Sequence, residues 1–161
     1  MRKYKIEIKW AVIYALMTIA WALLGKVLGF QHEKIKWVFV FNTFILIPSL
    51  VIYFLLAIDK RKNFYGGAMS FKQGFVSGFI TTILISILCV FTTWISMKLI
   101  SPDFFNDAIS YFTSNKTMTA ENASQQFSLN SFIVQGFIGA VVTGLLFSLI
   151  TSAFITKSSK A

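Results

Sequence analysis

The side chains of this sequence that could do chemistry are few and gather in two polar stretches. His32, the one histidine, stands beside Glu33 in a short turn, residues 31–36. Asp103 and Asp107 lie in a longer polar segment, four residues apart, so a helix would carry both on one face. A histidine among carboxylates can move protons if the cluster is sheltered. An enzyme would therefore have to bring His32, Glu33, Asp103 and Asp107 together. A single histidine makes no tetrahedral zinc site without three further ligands. No Ser/His/Asp set, Gly-rich phosphate loop or HExxH motif is present. Cys89, the lone cysteine, lies inside an apolar run and reads as a small packing residue. The sequence therefore predicts no enzyme, no catalytic residue, no metal and no cofactor.

The elements that must position these groups are membrane spans. Hydrophobic residues make up 56% of the 161 positions and charged residues 13%, about half the charged share of a soluble domain. A single soluble domain could not hide that apolar surface. A spanning helix takes about 20 mostly apolar residues, and four stretches qualify: about 10–30, 37–58, 73–100 and 132–155. The predicted fold is an all-α integral membrane protein, one domain of four transmembrane helices. The first stretch follows Arg2, Lys3, Lys5 and Lys9 and contains Ala20-Trp21-Ala22, as a signal peptide would. Its apolar run continues to Phe30, so it is read as a retained span. Pro48 interrupts the second stretch and predicts a kink.

Charge sets the orientation. With the N-terminus inside, the inner segments hold ten basic residues (Arg2, Lys3, Lys5, Lys9, Lys60, Arg61, Lys62, Lys72, Lys157, Lys160) and two acidic ones, a net of +8. The outer side holds five basic residues and four acidic ones, a net of +1. Both termini are thus expected in the cytoplasm. The overall charge of +9 is assigned to anionic headgroups, with membrane lipids as partners and no nucleic acid. Asn115-Lys116-Thr117 and Asn122-Ala123-Ser124 match a glycosylation pattern that matters only in a eukaryotic secretory membrane.

Small residues are expected to hold the spans together, because lipid is as apolar as leucine and burial alone does not drive association. Gly74, Gly78, Thr82 and Ser86 recur every four residues in the third span, and Gly136, Ala140, Gly144 and Ser148 in the fourth. Each set makes a flat stripe on one helix face. Asn42 is the deep polar residue whose amide calls for a partner on another helix.

Residues 101–131 are too long for a simple connection. Ser101-Pro102-Asp103 reads as a helix start, and Phe105, Ala108, Ile109 and Phe112 follow at helical spacing with Phe104 beside them. Thr119 can cap a second short helix. The expectation is a helical lid over about 102–128, with Phe104, Phe105, Ile109 and Phe112 as its inner face.

Asp59-Lys60-Arg61-Lys62, Phe71-Lys72-Gln73-Gly74-Phe75, Ser101-Pro102-Asp103-Phe104-Phe105, Met118-Thr119-Ala120-Glu121 and Phe127-Ser128-Leu129 resemble a family of small bacterial membrane proteins called domain of unknown function 4199. The resemblance implies a bacterial inner-membrane setting and four spans. It brings no activity, substrate or catalytic residue. Two functional readings stand. In the first, a non-enzymatic protein packs against itself or a membrane partner through whichever stripe the monomer leaves unused. In the second, a small transporter or ligand-binding carrier is closed by a lid.

Overall fold

A computed structural model describes residues 4–156. The described chain is helical and contains four helices long and apolar enough to cross a membrane, spanning 23, 29, 30 and 27 residues. At ~1.5 Å per residue even the shortest exceeds a hydrocarbon core of about 30 Å. Arg2, Lys3, Lys157 and Lys160, which weigh in the orientation, lie outside the described residues.

The first span, α1 (Lys5–Val27), begins and ends earlier than hydropathy implies, because Gly29 adopts φ 79° and turns the chain. Phe30 N–H then donates to the Gly25 carbonyl at 2.9 Å, a helix end that glycine makes inexpensive. The regular helix of the second span is interrupted just before Pro48, where a kink is expected. A short 3-10 turn (Ile35–Trp37) leads into α2 (Val38–Thr43), and α3 (Leu46–Asn63) follows after a break at Phe44 and Ile45. Phe44 lies four residues before Pro48, where the proline ring clashes with the helix carbonyl and the N–H that would bond it is missing.

The third span, α4 (Phe71–Ile95), starts two residues before its expected boundary. There the Ser70 hydroxyl accepts from Gln73 N–H at 3.3 Å and the Gln73 side chain accepts from Ser70 N–H at 2.9 Å. This reciprocal capping box fixes the helix start. Its last turn, Ser96–Ile100, widens into a π-helix. The connecting segment forms α5 (Phe104–Ser114) and α6 (Ala120–Gln126), and α7 (Leu129–Ile155) is the fourth span. Thr119 caps α6 as its position predicts. Ser101 does not cap α5; its hydroxyl donates instead to the Gln31 side chain.

The helices α4 and α7 form the main seam, with α1 and α3 against it. Gly74 faces Ser152, Gly78 faces Ser148, Gly144 faces Thr82 and Gly136 faces Cys89. Each step along one helix is met by a step back along the other, so the two run antiparallel. Hydroxyls in the seam return to their own helix: Thr81 to Ser77 O (3.0 Å), Ser86 to Thr82 O (2.9 Å) and Ser148 to Gly144 O (2.6 Å). That satisfies buried polar groups without a partner helix. Tyr53 of α3 crosses the interface and shares a 2.8 Å hydrogen bond with Thr82.

Where the termini lie, Glu7 and Lys60 are buried to 1% and 3% exposure and paired at 2.8 Å. Ser77 donates to the same carboxylate oxygen at 2.7 Å, while Glu7 Oε2 has no hydrogen-bond partner among the described residues. Beside them, Asp59 accepts from Lys9, from Trp10 Nε1 (2.8 Å) and from Asn63 (2.7 Å).

A candidate ligand site beneath the helical cap

At the opposite end from the termini, α5 and α6 fold over the spans. The buried face is Phe104, Ala108 and Phe112, joined by Ala123 and Phe127 and by Ile35 and Val38 of the second span. Phe105 and Ile109, expected on the inner face, are half-buried at its edge. The stripe is turned because α5 seats on a cluster of rings: Phe112 stacks on Phe127 at 5.2 Å, and Phe104 meets Phe132 edge-on at 5.6 Å. Such ring pairs add about 0.5–1.5 kcal/mol each beyond the area they bury.

The short helix α2 is clamped by aromatics. Trp21 and Phe30 stack on Phe41 at 4.8 and 4.6 Å, and Gly25 leaves the space for that ring. Phe39 of α2 reaches Phe112 and Phe127 of the cap. Together these contacts position the N-terminal half of the second span, before the interruption at Phe44 and Ile45. A cavity of about 400 Å³ lies between it, α1, α4 and α7, with Phe104 and Phe132 among its walls at the cap end. A second cavity of about 290 Å³ adjoins it and shares Thr18, Ile45, Cys89, Thr92 and Gly136.

The two small-residue stripes divide accordingly. Gly74, Gly78, Thr82, Gly144 and Ser148 lie in the tight half of the α4–α7 seam, and Ser86 is buried beside them. Gly136 and Ala140 lie on the cavity walls, with Cys89 across from Gly136. Asn42, exposed on α2, also lines the cavity and makes no interhelical hydrogen bond among the described residues. Trp21 on the same wall has a buried indole N–H with no hydrogen-bond partner among the described residues.

Outside the cap lies a polar cleft of about 620 Å³. All four residues that an enzyme reading requires, His32, Glu33, Asp103 and Asp107, line it, together with Lys26 and Lys34. His32 Nδ1 and Asp107 Oδ2 are 2.6 Å apart, tying the first turn to α5. Lys26 donates to the Ile100 carbonyl, and Ser101 to Gln31. The His32 side chain is 74% exposed, so a proton on it exchanges with water. Among the described residues no three His, Cys, Asp or Glu side chains group to hold a metal ion.

The hydrogen bond to Asp107 raises the His32 pKa, and the charges of Asp107, Glu33 and Asp103 add to it. The cationic ring is therefore favoured in the folded protein. The pair contributes fully below the ordinary value of about 6.5 and is lost as pH rises through the raised value. Because His32 is the one histidine, its ring resonances titrate without overlap. Their midpoint is expected above the ordinary value, falling back towards it in Asp107→Asn and at high salt. An unchanged midpoint in Asp107→Asn would show that the contact is absent in solution.

Two determinants escape the linear sequence. Glu7 and Lys60 look like ordinary inner-end charges until α1 and α3 are brought together, and the cavity depends on which way α2 departs after the proline break. Neither a curated protein nor a solved structure matches the chain. The family described as protein of unknown function DUF4199 matches over residues 9–157. That match takes in all four spans and the cap between the third and fourth, and the chain belongs to that family.

Proposed function

We propose that this protein binds a small apolar or amphiphilic molecule within the membrane, in the half-open cavity between α1, the second span, α4 and α7 that Phe104 of α5 bounds at one end. The single observation that carries the reading is that cavity. It has room for a ligand, apolar walls and a few polar groups, as ligand sites between helices have. Its polar complement includes Thr93, Ser96, Gln135 and the indole N–H of Trp21, which has no hydrogen-bond partner among the described residues. Binding, rather than catalysis, is what such a lining supports. The small-residue stripes face each other over their tight half, which leaves the partner-docking reading without a free stripe there.

The basic asymmetry supports placing both termini in the cytoplasm and the cap on the far side of a bacterial inner membrane. In that orientation the cavity lies in the outer half of the bilayer, where lipids are the abundant neighbours.

Native mass spectrometry of protein released gently from its own membrane tests the proposal. The expected result is a small molecule or lipid bound at fixed stoichiometry. In Thr93→Phe, which fills the cavity from α4, its occupancy should fall at least tenfold with the protein still folded. A bare wild-type protein, or equal occupancy in Thr93→Phe, would overturn the reading.

A further inference from the structure

The length of the cavity track and the charges at its mouth point to a ligand class. This rests on the ligand-binding reading above and refines it. Along α4 the two joined cavities are lined from Ile85 to Met97, twelve helical steps of ~1.5 Å, or about 18 Å. Along α7 they run from Phe132 to Thr143, about 16 Å by the same rise. One leaflet of a hydrocarbon core of about 30 Å is about 15 Å deep. The track is therefore the length of one extended acyl chain, and it stops near the middle of each span, where a leaflet ends.

A polar cleft adjoins the track. Gln31 and Phe104 line both the cavity beneath the cap and the polar cleft outside it. That cleft carries Lys26 and Lys34 against Glu33, Asp103 and Asp107, with His32 adding a positive charge when protonated. Mixed charge of this kind suits a headgroup bearing both an ammonium and a phosphate. With His32 protonated the cleft holds three positive and three negative groups, a balance that a headgroup of no net charge matches and one of net charge does not. The Gln31–Ser101 and His32–Asp107 contacts hold the two sides of the mouth.

We infer that the site takes a zwitterionic single-chain phospholipid, its acyl chain in the track beneath the cap and its ammonium–phosphate headgroup in the cleft lined by Lys34, Glu33 and Asp103.

Binding by the full chain in amphipol distinguishes the parts of this inference. The probes are myristoyl-lysophosphatidylethanolamine, myristoyl-lysophosphatidylglycerol and tetradecanol, which share a chain and differ in headgroup. The zwitterionic lipid is expected to bind at least tenfold more tightly than either of the others. Glu33→Gln with Asp103→Asn, both at exposed positions, should erase that preference and leave tetradecanol binding unchanged. Thr93→Phe should weaken all three. If the anionic lipid or the alcohol binds as well as the zwitterionic one, the headgroup assignment falls and the cavity reading stands. If none of the three binds, the cavity reading falls and this inference with it.

Discussion

Lys60→Met is expected to destabilise the folded protein by about 3–5 kcal/mol, and adding Glu7→Leu is expected to recover most of that loss. The reason is the asymmetry of buried charge. Removing one partner of a buried pair leaves the other charge without compensation, whereas replacing both with apolar groups of similar size is often neutral or better. Glu7 is 1% exposed, and its carboxylate is met by Lys60 Nζ at 2.8 Å and by the Ser77 hydroxyl at 2.7 Å. With the ammonium gone, the Ser77 hydroxyl is the hydrogen-bond donor left to the carboxylate among the described residues, where Oε2 has no partner. The measurement is equilibrium unfolding in mixed micelles for wild type, each single variant and the double. A double variant no more stable than Lys60→Met would show that the two side chains are not one energetic unit.

This pair also shows where sequence reading stops. Glu7 and Lys60 were legible as charges at the terminal end of their spans, and positive-inside counting needs no more than that. Their burial arises because α1 and α3 meet at residues 53 positions apart, and no local spacing encodes that meeting. The spans themselves were legible because length and hydropathy are properties of a segment alone. So were the Thr119 cap and the Phe104–Phe112 repeat, which depend on residues within a turn or two of each other. The face that α5 buries came out rotated, with Phe105 and Ile109 at its margin, since the rings it rests on, Phe127 and Phe132, come from later elements. Pro48 announced a bend. The course that α2 takes beside the cavity depends on Trp21, Gly25 and Phe30 gripping Phe41, contacts made once α1 and the turn after it meet the second span.

The small-residue stripes were equally legible as spacing, and their pairing yields the second large effect. Gly78→Leu and Gly144→Leu are each expected to abolish accumulation of folded protein, while Gly139→Leu on the same helix as Gly144 is expected to be tolerated. A Cβ at position 78 would lie 2.5 Å from Ser148 Oγ and 3.2 Å from its Cα. The second contact is backbone, so relief requires the helices to part. A Cβ at position 144 would lie 2.5 Å from Tyr53 Oη and 2.6 Å from Thr82 Oγ1, the two atoms that form the interhelical hydrogen bond there. Overpacking of a single site costs about 1–3 kcal/mol, and a full leucine adds three further carbons to each clash. Separation of α4 from α7 would also remove the close packing that substitutes for hydrophobic drive in lipid. At Gly139 nothing lies within 4 Å of an added Cβ, and leaving glycine gains about 0.8–1 kcal/mol of helix propensity. Fluorescence-detected size exclusion of the three variants reads the outcome directly. Loss at 78 and 144 with retention at 139 assigns the stripes to folding of the monomer. Normal monomer at all three positions would mean that the α4–α7 seam is not what holds the spans together, and the closely packed helix pair would have to be abandoned as the scaffold of the cavity.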